Sequence, residues 1–306
     1  MPRANALSPA LPAEAPSLPA APATVRPHEV AAYYNGNDAV YAWWSSAMHM
    51  HHGYWRAGVP LRHEAMLDAM VDRVVEGLSL PPSPRVADLG CGYGATANHI
   101  ASTVSGARVD GFSIVEEQVD WANARAVPGV KAHLADYRDT GAATAGYDGV
   151  FCLESLCHAD GTDKASLLAE AARLLRPGGR LVVVDGFVLP APSGIAQHLL
   201  QQVSGGWAVG SFAELEPLRR RLASLGFVDI TVEDAGWRIA PTVIVGHWRM
   251  LTQALWRALR GESWTSAERA HMWAGVHGAW LGLCRGSFRY LVISARRGSA
   301  PTGCPC

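Results

Sequence analysis

The chain has 306 residues, of which 49% are apolar and 17% charged, so it can bury the core of one large domain or two modest ones. Its 26 basic and 27 acidic residues leave a net charge of -1, which argues against a partner bound through nucleic-acid phosphates. No apolar run approaches the roughly 20 residues of a membrane-spanning helix, and the first residues lack a secretory signal pattern.

The six cysteines form neither a CxxC pair nor a metal-type spacing. This usage predicts free thiols in a reducing compartment, and therefore a cytoplasmic protein.

The first 80 residues are expected to be helical after a disordered start. Residues 1–27 hold seven prolines and eight alanines without apolar periodicity, which predicts a disordered leader; a cleaved targeting segment stays open as an alternative. Residues 28–50 predict one or two short helices interrupted by a turn at 35–37. Apolar residues recur every three or four positions over 63–78, which indicates an amphipathic helix. We assign residues 28–80 to a helical cap.

From residue 81 to residue 298 the pattern alternates between strands and helices. The strand patterns cover residues 85–91, 108–114, 130–136, 147–154, 180–188, 227–233 and 288–296. The helical patterns cover residues 94–104, 116–126, 163–175 and 213–225. Strands separated by helices indicate a mostly parallel sheet that is covered on both faces, so the fold class is α/β.

Two stretches, 189–212 and 237–285, do not fit this alternation, and we interpret them as lid insertions. The second is mostly helical and contains six of the eleven tryptophans. Residues 299–306 are expected to be a frayed tail.

A glycine-rich turn follows the first strand. Asp88 ends that strand, and Gly90, Gly92 and Gly94 permit positive φ and leave room for a ligand against bare backbone. The letters also fit the dinucleotide fingerprint G-x-G-x-x-A. However, the carboxylate of Asp88 would repel a pyrophosphate and instead favours a ligand with an ammonium group, such as the methionine part of S-adenosylmethionine.

This turn resembles the corresponding motif of class I S-adenosylmethionine-dependent methyltransferases. Residues 111–118 resemble the G-x-[ST]-x-x-x-x-Q variant of the sterol, tocopherol and cyclopropane-synthase group. Residues 118–126, 153–158 and 176–179 resemble small-molecule methyltransferases of natural-product pathways, including sugar O-methyltransferases of the rebeccamycin type. The resemblance implies a Rossmann-like sheet of seven strands in the order 3-2-1-4-5-7-6, with the last strand antiparallel.

The resemblance also implies roles for individual residues. Gln118 would meet the ribose hydroxyls, and Asp136 would receive the adenine amino group. Residues 49–55 resemble the segment that precedes the core in these enzymes, and there Tyr54 or Trp55 would contact the cofactor. The expected cofactor-binding residues are Asp88, Gly90, Gly92, Gly94, Phe112, Ser113, Gln118, Asp136, Tyr137, Leu153 and Tyr54.

Catalysis of methyl transfer to a hydroxyl benefits from a base. His158 follows the fourth strand and Asp185 ends the fifth, at the sheet edge where ligands of such folds bind. We expect His158 to be the base, with a pKa near neutrality, oriented by Asp185, as the sugar methyltransferase resemblance implies. Glu154-Ser155 resembles prenyl-diphosphate C-methyltransferases, which makes Glu154 a third candidate. His49, His51 and His52 have no partner cluster, so no metal site is predicted.

These observations predict an S-adenosylmethionine-dependent methyltransferase that acts on a lipophilic small molecule of secondary metabolism, by base-assisted O-methylation. C-methylation of an isoprenoid, a prenyl diphosphate or an aromatic ring is the alternative, and Mg²⁺ would be needed only for a diphosphate. A non-catalytic cofactor-binding partner of another protein is the remote alternative. We expect neither a nucleic-acid partner nor a membrane span, and a homodimer stays open.

Overall fold

The computed structural model describes residues 25–192 and 194–298. Most of the predicted leader and the whole predicted tail 299–306 lie outside these residues. Within them, Val25 is buried and the first helix begins at Pro27.

The described residues contain a mixed sheet of eight strands. Their bounds are β1 Arg85–Leu89, β2 Arg108–Ser113, β3 Val130–Leu134, β4 Tyr147–Leu153, β5 Leu175–Val188, β6 Ala213–Glu214, β7 Phe227–Asp234 and β8 Phe288–Arg297. The order β3-β2-β1-β4-β5-β8-β7 confirms the predicted topology, with β8 antiparallel to both of its neighbours. The unpredicted β6 adds two residues beside the end of β5.

Ten α-helices occur in the described residues. Their bounds are α1 Pro27–Asn35, α2 Asp38–Trp44, α3 His63–Leu78, α4 Ala95–Thr103, α5 Glu116–Ala124, α6 Ala165–Leu174, α7 Gly194–Gly206, α8 Leu215–Ser224, α9 Gly236–Leu259 and α10 Ser266–Leu283. The predicted helical insert before the last strand is therefore a pair of helices, α9 and α10. Helix α10 begins with a capping box in which Thr265 and Glu268 satisfy each other's backbone N–H groups.

The core lies on both faces of the sheet because successive residues of a strand point to opposite sides. Val183 of β5 belongs to the cluster that includes Leu168 of α6. Val182, its neighbour in the strand, belongs to the cluster that includes Met70 of α3 and Ile100 of α4. Because β1, β2, β4 and β5 pair in parallel, their carboxyl ends meet at one edge of the sheet, where the side chains described next converge.

Four cysteines within the described residues are unpaired: Cys91, Cys152, Cys157 and Cys284. Among the helices of residues 25–192 and 194–298, none combines the length and apolarity needed to cross a bilayer.

Candidate active site

A first cavity lies against the glycine-rich turn after β1. Gly90, Gly92 and Gly94 have φ values of +110°, +51° and +77°, so each adopts backbone geometry that L-residues avoid. A Cβ atom on Gly90 would lie 2.3 Å from the Cβ of Ser155, and one on Gly92 would lie 2.7 Å from the Sδ of Met50. The backbone conformation therefore favours glycine at all three positions, and the space beside Ser155 excludes a side chain at Gly90.

Asp88 is a buried carboxylate in the wall of this cavity, only 2% exposed. Its Oδ2 accepts no hydrogen bond from any residue that the structure describes. Burial raises the pKa of Asp88 to about 8, because the charged form loses hydration without gaining a partner. A ligand with an ammonium group would supply both the missing donor and the missing positive charge, so this wall fits the methionine end of S-adenosylmethionine.

The side chain of Gln118 is buried in the same wall. Its Oε1 accepts a hydrogen bond of 3.0 Å from the hydroxyl of Ser113, which fixes the orientation of the amide. Its Nε2 lies 3.9 Å from the Sδ of Met50, a weak acceptor. The amide therefore keeps donor capacity for a ligand hydroxyl.

Asp136, Tyr137 and Leu153 complete the predicted residues that line the first cavity. Burial alone would raise the pKa of Asp136, but hydrogen bonds from the guanidinium and backbone of Arg138 hold that pKa below its usual value. The hydroxyl of Tyr137 donates to the carbonyl of Ser155 over 3.2 Å.

Three predicted cofactor contacts do not line the cavity. Gly94 faces Ala122 of α5, and the ring of Phe112 is buried and stacked on His133. The hydroxyl of Tyr54 donates to Glu233, so Tyr54 points toward β7.

The 49–55 segment does reach the cavity, but through its earlier residues His49, Met50 and His51. The chain then turns away, and the backbone N–H of Trp55 donates to the carbonyl of Arg238 on α9. The predicted contact by Tyr54 or Trp55 therefore has to be corrected to the residues before Gly53.

His158 stands on a single 3₁₀ turn, Leu156–His158, directly after β4. Its Nδ1 lies 3.0 Å from the carbonyl oxygen of Ala208, and its Nε2 lies 2.8 Å from the hydroxyl of Tyr34. Since a carbonyl can only accept, we assign the ring proton to Nδ1, which leaves Nε2 to accept from Tyr34. Burial lowers the pKa of His158 to about 4, so the imidazole is neutral at physiological pH.

The expectation that Asp185 orients His158 is wrong, and so is the expected pKa near neutrality. The Oδ2 of Asp185 accepts from the backbone N–H of Cys157 over 2.9 Å, and its Oδ1 accepts from that of Gly186 over 2.7 Å. Burial raises the pKa of Asp185, and the negative charge of Glu154 adds to this effect. Asp185 therefore supports the turn before His158 through the backbone, while the ring takes its orientation from Ala208.

Glu154 forms a second polar centre at the end of β4. Its Oε1 accepts from the backbone N–H of His52 over 2.7 Å and from the hydroxyl of Tyr290 over 2.6 Å, and the Nδ1 of His52 lies 3.0 Å away. Burial alone would raise the pKa of Glu154, but the charge and hydrogen bonds of His52 outweigh burial and hold it at about 2. Glu154 is thus an ionised carboxylate inside the protein.

A second and larger cavity adjoins the first. It encloses about 2,090 Å³ including its open mouth, against about 930 Å³ for the first. Both cavities share Tyr34, Met50, His51, Glu154 and His158 in their walls. Two ligands, one in each cavity, would therefore be neighbours at this common wall.

The rest of the second cavity is mainly apolar and comes from the predicted helical cap and the two predicted lid insertions. Trp43 and Trp44 of α2, Trp207 after α7, and Met250 of α9 are among its lining residues. The segments 28–60 and 237–285 pack against each other here: the indole N–H of Trp43 donates to the carbonyl of Arg249 over 3.3 Å. The apolar lining suits a lipophilic molecule.

The histidines near the first cavity bond to each other and to the backbone. The Nε2 of His51 lies 3.0 Å from the Nδ1 of His49, and its Nδ1 lies 2.9 Å from the carbonyl oxygen of His52. Burial lowers the pKa of His51 to about 3, so this ring is neutral. Among the described residues, no group of three or more His, Cys, Asp or Glu side chains is arranged to hold a metal ion.

Sequence reasoning missed four residues of the site: Tyr34, His52, Ala208 and Tyr290. Tyr34 is 124 residues from His158, and Tyr290 is 136 residues from Glu154, so no local pattern joins them. The aromatic residues of the N-terminal segment were a signal for packing over the site, but they did not single out Tyr34.

Comparison with known proteins identifies the relatives of the chain. A family model described as a methyltransferase domain matches residues 86–179. The 27-O-demethylrifamycin SV methyltransferase of Amycolatopsis mediterranei (strain S699) is 33% identical over 198 residues, which cover 63% of this chain and 71% of that protein. An S-adenosyl-L-methionine-dependent Diels-Alderase, iccD of Talaromyces variabilis, is 29% identical over 268 residues, covering 81% of this chain and 87% of that protein.

Among solved structures, the fold is similar to that of geranyl diphosphate C-methyltransferase from Streptomyces coelicolor A3(2), in complex with Mg²⁺, geranyl diphosphate and S-adenosyl-L-homocysteine. The TM-score is 0.65 at 23% identity, over 90% of this chain and 100% of that one.

Proposed function

Because this chain belongs to the S-adenosylmethionine-dependent methyltransferase family, we propose that it methylates a hydroxyl group of a lipophilic natural-product molecule, with His158 as the general base. The observation that carries this proposal is the position of His158 in the wall common to both cavities. Its neutral imidazole directs Nε2 at the hydroxyl of Tyr34, which lines both cavities as well. The apolar second cavity supports a lipophilic acceptor.

The first cavity would hold the cofactor. Asp88 would bind the ammonium group, Gln118 the ribose hydroxyls and Asp136 the adenine amino group. S-adenosylmethionine, when bound, supplies a methyl group that its sulfonium has already activated. The chain therefore has to position two ligands, exclude water and accept one proton.

Tyr34 and His158 together can accept that proton. Burial raises the pKa of Tyr34 well above its usual value, so a free phenolate is disfavoured. We therefore propose that the proton of Tyr34 moves to the Nε2 of His158 as the phenol oxygen takes the proton of the acceptor hydroxyl. No charged tyrosine accumulates in such a step, and the imidazolium formed, with a pKa of about 4, releases its proton readily at neutral pH.

C-methylation is the second candidate, and the ionised Glu154 is the observation that favours it. A buried carboxylate beside an aromatic cavity suits the stabilisation and deprotonation of a carbocation. A prenyl diphosphate, with Mg²⁺, would also need cationic groups. Two arginines line the cavity, but Arg249 donates to the carbonyl of Trp43 and Arg285 pairs with Asp234. A diphosphate would require these arginines to leave their present partners. O-methylation does not, so we favour it.

The likeness to a cofactor-dependent Diels-Alderase makes binding without methyl transfer a third outcome to test. Incubation with methyl-labelled S-adenosylmethionine separates all three. The acceptors would be lipophilic phenols and macrocyclic alcohols, and prenyl diphosphates with and without Mg²⁺. We expect label in an O-methyl product that is stable to dilute acid and identified by mass spectrometry.

His158→Ala should lower the yield by roughly 10²-fold or more, whereas His198→Ala, an exposed histidine on α7, should not. Label on carbon would favour Glu154 and the second candidate. Binding of S-adenosylhomocysteine without label in any product would contradict both forms of methyl transfer. We further propose that the enzyme acts in the cytoplasm, where its unpaired cysteines stay reduced.

A further inference from the structure

Helix α9 carries a long apolar stripe on the protein surface. Its members recur at spacings of three, four and seven residues, which places them on one face of the helix. They are Trp237, Ile244, Trp248, Leu251, Leu255 and Leu259, with between 63% and 80% of each residue exposed. We call this face the α9 stripe. The 22 helical steps from Trp237 to Leu259 give it a length of roughly 33 Å.

Helix α10 also carries exposed apolar residues, Trp273, Trp280 and Leu283, which are 48%, 61% and 59% exposed. Single exposed apolar residues are normal, but a continuous patch of this length marks an interaction surface. Apart from Ile244, its members are Trp and Leu, the residues that favour the boundary between water and lipid.

The second cavity opens within this patch. Trp237 and Ile244 of α9 and Leu283 of α10 are exposed to solvent and also line the cavity. Apolar side chains therefore connect the surface patch with the cavity interior, beside the Arg285–Asp234 ion pair. A second copy of the chain seated on the same face would cover that mouth.

The exposed charges of this region are mainly basic. Residues 236–283 contain five arginines and two glutamates in a chain whose net charge is -1. Three of these arginines are exposed: Arg238, Arg260 and Arg269. Of the two glutamates, Glu268 is buried and paired with Arg257. Arg260 lies over the ring of Trp256, 4.0 Å from its centroid. This combination of tryptophan, leucine and arginine is complementary to an anionic lipid surface.

We propose that helix α9 binds the surface of an anionic phospholipid bilayer, lying in its plane, and that the lipophilic acceptor enters the second cavity from the bilayer between Trp237 and Leu283. This binding is peripheral, since none of the described helices can span a membrane. It goes beyond the methyl-transfer proposal and holds for a hydroxyl or an alkene acceptor alike.

Vesicle co-sedimentation of the full chain tests the proposal. The probes are vesicles of phosphatidylcholine alone and of an equal mixture of phosphatidylcholine and phosphatidylglycerol. The test variant replaces Leu251, Leu255 and Leu259 with serine, because these exposed residues do not line the cavity. A matched control replaces three exposed apolar residues elsewhere with serine: Leu61, Leu134 and Ile195.

We expect the wild type to bind the anionic vesicles at least about tenfold more strongly than the neutral ones. The α9 variant should lose at least about tenfold of that binding, because three leucines no longer bury against lipid. The control should bind like the wild type, and the affinity for S-adenosylhomocysteine should be equal in all three proteins, which reports an intact fold.

Equal vesicle binding by the wild type and the α9 variant would overturn the proposal, as would an absence of vesicle binding. Light scattering without vesicles identifies the competing occupant. A wild-type dimer that the α9 variant cannot form would assign the stripe to a second copy instead.

Discussion

Asp88 offers the sharpest test of the cofactor assignment, through the substitution Asp88→Asn. Burial raises the pKa of this carboxyl from 3.8 to about 8. Because the pKa is higher in the folded protein, folding favours the protonated carboxyl. The free energy of unfolding is therefore not reduced by this group below about pH 3.8, and it falls as the pH rises from there to about 8. Each pH unit in this window costs about 1.4 kcal/mol, so the full loss is on the order of 6 kcal/mol.

Asparagine does not ionise, so it removes this pH-dependent cost. We expect the free energy of unfolding of the variant, relative to the wild type, to increase by several kcal/mol between about pH 4 and about pH 8. The amide brings its own unsatisfied donor, at about 1–3 kcal/mol, but that cost does not change with pH. Urea unfolding of both proteins across this range measures the difference.

The same substitution should weaken cofactor binding. Loss of a charge-assisted hydrogen bond costs about 1.5–3 kcal/mol, so the affinity for S-adenosylhomocysteine should fall at least about tenfold. In the wild type, that affinity should rise with pH up to about 8, because the ligand requires the ionised carboxylate. Calorimetric titration measures both effects.

Asp110→Asn is the matched control. This carboxylate on β2 accepts hydrogen bonds from Tyr147, His133 and Arg85, and these partners outweigh burial and lower its pKa. Its loss should destabilise the protein at neutral pH and leave cofactor affinity unchanged. If Asp88→Asn shows the same pH profile and affinity as the wild type, Asp88 is not the ammonium site.

Gly92→Val should abolish measurable binding of S-adenosylhomocysteine in calorimetry, because the side chain meets Met50 and the φ of +51° excludes a branched residue; retained binding in a folded variant would remove the assignment. At saturating cofactor, turnover of the wild type should be constant above about pH 5 and fall below it, since His158 protonates with a pKa of about 4; a profile at saturating cofactor that falls near neutrality would contradict this base. Tyr34→Phe should lower turnover roughly 10²-fold with unchanged cofactor affinity, and a faster variant would show that Tyr34 only blocks the base. Amide exchange in residues 28–60 and 237–285 should slow when cofactor and acceptor bind, whereas equal protection in the free protein would make these segments fixed structure.

The strands were predictable because apolar strands alternate with amphipathic helices, whereas their order came from the resemblance to class I methyltransferases. The predicted boundaries agree with most strands to within one or two residues, and helix α3 begins and ends where its apolar spacing begins and ends. Strand β6 was missed because two residues, Ala213 and Glu214, are too short to show a periodic pattern.

The site was predictable only where its chemistry is local in sequence. Asp88 and the glycines lie within seven residues and carry a recognisable backbone requirement. The partner of His158 was not predictable, because it is a main-chain carbonyl on a connection after α7. The prediction that Tyr54 contacts the cofactor failed for a related reason. A short sequence motif does not show where the chain turns away from the cavity.

The carbonyl of Ala208 gives the candidate base an orientation that does not depend on the chemistry of any side chain. A carboxylate partner would be lost by a single substitution, whereas a peptide carbonyl remains whatever residue occupies the position. The restriction is conformational, because Ala208 has a φ of +51°. Glycine or asparagine should therefore be accepted there, and valine should not. The connection that carries residue 208 also lines the acceptor cavity, through Trp207 and Val209. Substitutions in this connection can thus change the acceptor preference of related enzymes while the base keeps its tautomer. Specificity can therefore evolve separately from catalysis.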